Sequence, residues 1–219
     1  MEKNAGMHRG QGGGRRATAL FAVLALLLTG CAPPPEPISI GFIGGSSGRV
    51  ADLGIAGRDG VQLAVDLRNQ AGGVGGRAVR LLIRDDEQNP EAAARALREL
   101  IDQGVVAVVG PMTSAMAMAT VPIANEAKVL MISPTVSTED LSGLDDYFFR
   151  VGSSNHANAT QVARHHLQRK PGQRRLAVAY DLGNRAYSET WLGGFRTTFE
   201  GGGGQLLKTI AFESGGEKS

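Results

Sequence analysis

The chain is poor in the features that most often betray chemistry. It has one cysteine, Cys31, in 219 residues, which excludes an intramolecular disulfide framework and any cysteine-based zinc site. Aromatic residues make up only 5% of the chain, and the formal net charge is only +2. Lys3, Arg9, Arg15 and Arg16 against Glu2 put +3 into residues 1–30, leaving about −1 for the rest. A near-neutral body without a Lys/Arg stripe lacks the electrostatic footprint of a nucleic-acid binder. No Gly-x-Ser-x-Gly elbow is present, and no apolar run reaches the roughly 20 residues needed to span a bilayer. What remains, 42% hydrophobic and 20% charged residues, suffices for a packed globular core.

The first residues read as an address. A polar, basic stretch ends at Arg15-Arg16, and Ala17–Leu28 is an uncharged apolar run of twelve residues. A positive n-region followed by a short h-region is a secretory signal. Two small residues, Thr29 and Gly30, then precede Cys31, and Pro33, Pro34, Pro35 and Pro37 follow. This resembles a bacterial lipobox, in which the cysteine sulfur is acylated and becomes residue one after cleavage. It is favoured over a plain signal peptide with a bystander cysteine, and over a membrane span, because the prolines stop any helix. The organisation expected is a signal peptide over 1–30 and a lipidated Cys31 with a stiff tether over 31–37.

From Ile38 short apolar runs alternate with amphipathic stretches, the pattern of βαβ units and a parallel sheet. Strands are expected at Ile38–Ile43, Ala78–Arg84, Val105–Val109, Val129–Ile132 and Tyr147–Val151. Helices are expected from about Arg58 to Ala71, after the Asn89-Pro90-Glu91 start, and from near Ser114 to Lys128 with an interruption at Pro122. The pattern then begins again: a helix from Gly152–Asn155 to Lys170, a strand at Arg175–Tyr180, a helix at Ser188–Glu200 and a strand at Gln205–Ala211. Residues 38–151 therefore read as one α/β lobe, and 152–219 as the beginning of a second.

In open α/β sheets ligands bind beyond the carboxyl ends of the strands. Here those ends carry hydroxyls: Ser46 and Ser47, Thr113 and Ser114, then Ser133, Thr135, Ser137 and Thr138. A helix opening at Ser114 offers backbone amides and a positive dipole end to a carboxylate or phosphate. The glycine loop Gly44–Gly48 fits neither a phosphate loop nor a dinucleotide fingerprint. Asp85-Asp86-Glu87 reads as a solvated strand end rather than a metal site, and His156, His165 and His166 as surface residues. With no candidate nucleophile, cofactor or metal site, nothing demands an enzyme.

Several motifs carry a family resemblance in the correct order: Ile38–Gly44, Gly60-Val61-Gln62-Leu63-Ala64, Ala71–Gly76, Asp85-Asp86 before Asn89-Pro90, Val108-Val109-Gly110-Pro111 and Leu130-Met131-Ile132-Ser133-Pro134. Together they resemble the branched-chain amino-acid binding proteins of ABC importers, with the type I periplasmic binding fold. The resemblance implies two α/β lobes that close on a ligand, and a chain truncated before the second lobe is complete. It implies an extracytoplasmic, membrane-anchored carrier that delivers an amino acid to permease subunits. It also implies site residues. Ser114 matches the hydroxyl after the third strand, and Thr135 and Ser137 match a loop that contacts both carboxylate and ammonium. Leu53 falls where an aromatic often covers the side-chain pocket, and Tyr187 matches a tyrosine of the second lobe. A ligand-sensing receptor module of the same fold, or a non-functional fragment, are the alternative readings.

Overall fold

The computed structural model describes residues 34–213. Strand and helix alternate as β1 (Ile38–Ile43), α1 (Ala51–Gln70), β2 (Val79–Arg84), α2 (Pro90–Asp102), β3 (Ala107–Val109), α3 (Ser114–Ala127), β4 (Leu130–Ser133) and β5 (Phe148–Arg150). They continue through α4 (Asn155–Arg169), β6 (Arg175–Asp181), α5 (Arg185–Gly201) and β7 (Gln205–Phe212). The first five strands form one sheet in the order β2-β1-β3-β4-β5, and β6 and β7 form a separate pair. Every pairing is parallel. The α/β parallel-sheet architecture expected from the alternation is present, and the topological switch lies between β1 and β3.

Local signals explain most boundaries. Asn89 accepts from the Ala92 amide at 2.8 Å and Pro90 takes the first helical position of α2, as a capped start predicts. Its apolar stripe, Ala93, Leu97 and Leu100, is fully buried and packs with Ile43, Val108, Val121 and Met131 into the main core. A second core joins α4 to α5, where Phe195 and Phe199 stack at 5.3 Å over Ala159 and Ala163.

Three expectations need correction. α1 starts seven residues earlier than the sequence pattern allows, because Gly54 and Gly57 mask its first turns. Gly54 is there for packing: a Cβ at this position would lie 1.8 Å from the Gly45 carbonyl oxygen. α3 runs without interruption through Pro122; the proline and Met118, whose carbonyl it leaves without a helical partner, both sit on the exposed side. The strand expected at Val105–Val109 is shorter: the ladder begins at Ala107, and Val106 is 61% exposed. The strand expected at Tyr147–Val151 is present in its centre as edge strand β5, in register with β4 through Ile132 and Phe149.

The five-stranded sheet has two unequal faces. Met131 and Phe148 point into the core under α2 and α3, while Leu130, Ile132 and Phe149 on the opposite face stay open.

Candidate functional site

The site is built where β3 and β4 end. Three hydroxyls tie the two following loops together. Ser133 donates to the Pro111 carbonyl at 2.7 Å, and Thr135 donates to the Met112 carbonyl at 2.6 Å. Ser114, at the first position of α3 and 2% exposed, accepts from the Ser137 and Thr138 amides at 3.4 and 3.3 Å. The far end of the second loop is held by Arg150, which donates to the Thr138 carbonyl at 2.7 Å.

These bonds fix what each hydroxyl has left to offer. A serine hydroxyl has one donor and two acceptor sites. Both acceptor sites of Ser114 are used by loop amides, so its proton is directed to an acceptor such as a carboxylate. Thr135 has spent its proton on Met112, so its lone pairs suit a donor such as an ammonium.

Of the residues selected from sequence, Ser114, Thr135 and Ser137 are brought together. Tyr187, 42% exposed on α5, lines a cleft of about 330 Å³ with Arg49, Asp181, Asn184 and Trp191. Leu53, on the first turns of α1, is 36% exposed and is not among the residues lining that cleft. Cys31 lies outside the described residues. The loop after β1 takes a different course: the Ser46 and Ser47 hydroxyls both donate to Asp85.

Two residues escaped the sequence reading. Asn155, 1% exposed, donates its backbone amide to the Ser137 carbonyl at 2.7 Å. Its side chain donates to the Tyr187 carbonyl at 2.6 Å and to Thr190 at 2.7 Å, so one residue links two site elements. Its place beside a helix start disguised it as a cap; the cap is Ser154. Asn184 accepts from the Ala115 amide at 3.0 Å, so one of the amides expected to be free at α3 is occupied.

The acids beside the site behave oppositely. Burial pushes Asp85 up, but bonds from the Ser46 hydroxyl, the Glu87 and Ser46 amides and the Ser47 hydroxyl together hold it below the usual carboxylate range. Asp86, with no exposed surface, is pushed up by burial, against the Gln88 bonds and with help from the Asp85 charge. No group of three or more His, Cys, Asp or Glu side chains among the described residues is placed to hold a metal ion. His166 is half-buried rather than superficial, edge-on to Phe199 at 5.6 Å. A larger cavity of about 620 Å³ under α1 is lined by Ile38, Ile40, Val61, Val65 and Val109, and offers little to a polar ligand.

A family model described as periplasmic binding protein matches residues 37–218. The chain belongs to the periplasmic binding protein family. Among the family's curated members, the Leu/Ile/Val-binding protein BraC3 of Rhizobium johnstonii is 32% identical over 168 residues, which cover 76% of this chain and 45% of that protein. Among solved structures, the branched-chain amino acid transporter substrate binding protein LivJ of Streptococcus pneumoniae, in complex with isoleucine, superposes with a TM-score of 0.73 at 30% identity. That match covers 83% of this chain and 51% of LivJ. A solute binding protein of an ABC transporter from R. palustris, in complex with 4-hydroxybenzoate, superposes at 0.72 with 25% identity over 84% of this chain and 49% of its own. The chain therefore spans about half the length of these periplasmic binding proteins, and its fold is of their type I class. These relatives are binding proteins, in line with the reading of this chain as a binder rather than an enzyme.

Proposed function

We propose that the chain is an extracytoplasmic solute-binding lipoprotein of an ABC importer that takes up an amino acid, branched-chain or similar, for delivery to permease subunits. In this reading residues 38–151 are the ligand-binding lobe and 152–219 the beginning of a second, and Cys31 carries the lipid anchor. The carboxylate is received by Ser114 and Ser137, the ammonium by Thr135, and the side chain by Tyr187, which lines the cleft, and by Leu53, which comes from α1 outside that lining. Closure follows from population shift, with ligand favouring the state in which both lobes touch it.

The observation that carries the reading is the junction of the loops after β3 and β4, where Ser114 keeps a proton to give and Thr135 keeps lone pairs to share. Membership of the periplasmic binding protein family supports the transport role. The named relatives for Leu, Ile and Val support the ligand class.

Calorimetric titration of the chain with L-leucine, L-isoleucine and 4-hydroxybenzoate tests the ligand. Saturable binding of either amino acid, lost in Ser114→Ala, is expected. Binding of 4-hydroxybenzoate alone would replace the amino-acid reading with an aromatic-acid one. The anchor is tested by the intact mass of protein extracted from membranes with detergent: residues from Cys31 onward plus acyl chains are expected, and an unmodified Cys31 would remove the lipoprotein reading.

A further inference from the structure

The strands of the first sheet all run parallel, so their amino ends share the edge opposite the candidate site. Where β1 and β2 begin, that edge carries a polar pocket of about 480 Å³, lined by Ser39, Arg77, Arg80 and Gln103 among others. The ligand reading above makes no use of it.

Two guanidiniums open on this pocket, and both are mounted on fixed backbone. Arg77 closes the turn after α1, where it and Val74 exchange both backbone hydrogen bonds. Gly73 permits that turn, because a Cβ there would lie 2.0 Å from the Arg77 carbonyl oxygen. The Arg77 Nε donates to the Glu36 carbonyl at 2.7 Å. Arg80 stands beside Ser39 in the β1–β2 register and donates to its hydroxyl from Nε and Nη2, at 3.2 and 2.9 Å. Neither arginine pairs with an acid among the described residues. A guanidinium has five N–H donors, so Arg77 keeps both of its Nη groups and Arg80 keeps Nη1. Ser39, 7% exposed, accepts both bonds from Arg80 and keeps its own proton to give. Against these donors the lining sets one acid, Glu36.

We infer that this pocket is a phosphate-recognition site for the headgroup of an anionic phospholipid, and that it seats the amino edge of the sheet on the membrane surface. Two guanidinium forks beside a hydroxyl suit an anion that offers several oxygens. The position selects phospholipid as the source of that anion. Resting on the lipid anchor proposed above, five residues lead from Cys31 to Glu36, a reach of at most about 18 Å, so the pocket stays within reach of the headgroups. Attraction of this kind is worth only about fivefold per arginine, so it orients the domain without fixing it there. β1 is six residues long, which places the ligand-receiving edge about 20 Å farther from the lipid.

Lipoprotein extracted from membranes and reconstituted into vesicles tests the seat. Amide hydrogen exchange is read at Gln103, Gly104 and Val106 beside the pocket, and at Ser137 and Thr138 on the opposite edge. With phosphatidylglycerol in the vesicles the first group is expected to exchange about fivefold more slowly than in phosphatidylcholine alone, while the second stays within about twofold. Arg77→Gln combined with Arg80→Gln is expected to abolish the difference, although the acyl chains still anchor the protein. Arg77→Gln alone, which loses only a bond to the Glu36 carbonyl, is expected to reduce it and guards against a general loss of folding. Equal exchange in the two kinds of vesicle, or slowing that survives in the double variant, overturns the proposal. Slowing in phosphatidylcholine vesicles on addition of inorganic phosphate would assign the pocket to the free anion and overturn the headgroup. If the extracted protein carries no acyl chains, the anchor reading fails by itself, and titration of the chain with inorganic phosphate decides the pocket. Binding that the double variant loses would then overturn only the headgroup, and absence of binding would overturn the site.

Discussion

The Ser137 amide donates to the Ser114 hydroxyl at 3.4 Å, across 23 positions of sequence. The bond makes one surface of two loops that follow different strands. Ser114 is the better buried partner at 2% exposed and serves Thr138 as well, so the two serines have different duties.

Ser114→Ala is expected to lower both stability and affinity. It leaves two amides without an acceptor, and losing buried partners of this kind costs about 1–3 kcal/mol. Ser137→Ala keeps the same backbone bonds and is expected to change stability by no more than about 0.5 kcal/mol, while weakening L-leucine. Urea unfolding beside calorimetric titration separates the two. Equal destabilisation by both variants would contradict this division of labour.

Asn155→Ala is expected to be costly away from any ligand contact. It removes side-chain bonds to Tyr187 and Thr190 at a buried position, a loss of about 2–3 kcal/mol. Because the same residue holds the Tyr187 carbonyl itself, affinity should fall with stability. A variant of undiminished affinity would show that Tyr187 needs no such support.

The two neighbouring aspartates predict opposite pH effects. The folded-state value of Asp86 is raised, so its contribution to stability is full below the ordinary aspartate range and is lost as pH rises through the raised value. Asp86→Asn, which keeps an oxygen for Gln88, should therefore be more stable than the parent at neutral pH, with the advantage vanishing in acid. Asp85 is held low, so its contribution is present above the ordinary range and is lost as pH falls through the lowered value. Asp85→Asn should be less stable at neutral pH. Urea midpoints measured from acid to neutral pH check both signs.

Phe149→Lys is expected to improve solubility at almost no cost. Phe149 is 55% exposed on the open sheet face beside Ile132, and contiguous apolar surface of this kind promotes association. Light scattering should show less self-association than the parent, with the urea midpoint shifted by no more than about 0.5 kcal/mol in stability. A large loss of stability would mean that this face is packed in solution.

Much of the architecture was legible because it depends on local chemistry. Alternating apolar runs and amphipathic stretches specify parallel βαβ units, and Asn89-Pro90 starts α2 where capping says it must. The hydroxyls of Ser114, Thr135 and Ser137 were legible too, since strand ends are where an open sheet puts its ligands. By contrast, the first turns of α1 were hidden: Gly54 weakens a helix taken alone, and only contact with Gly45 explains it. Pro122 was misread because whether a helix tolerates proline depends on which side of it meets water.

The sequence by itself determined the order of strands and helices and the hydroxyls at the strand ends, which follow from spacing and side-chain chemistry within a few residues, while its ordered motifs carried the resemblance to the family. Only the tertiary structure decided which protons those hydroxyls keep, that Asn155 joins Ser137 to Tyr187, and that Asn184 rather than Thr113 caps α3. Each of these last depends on partners tens of residues apart, and a hydrogen bond has no trace in sequence until folding brings its donor and acceptor within about 3 Å.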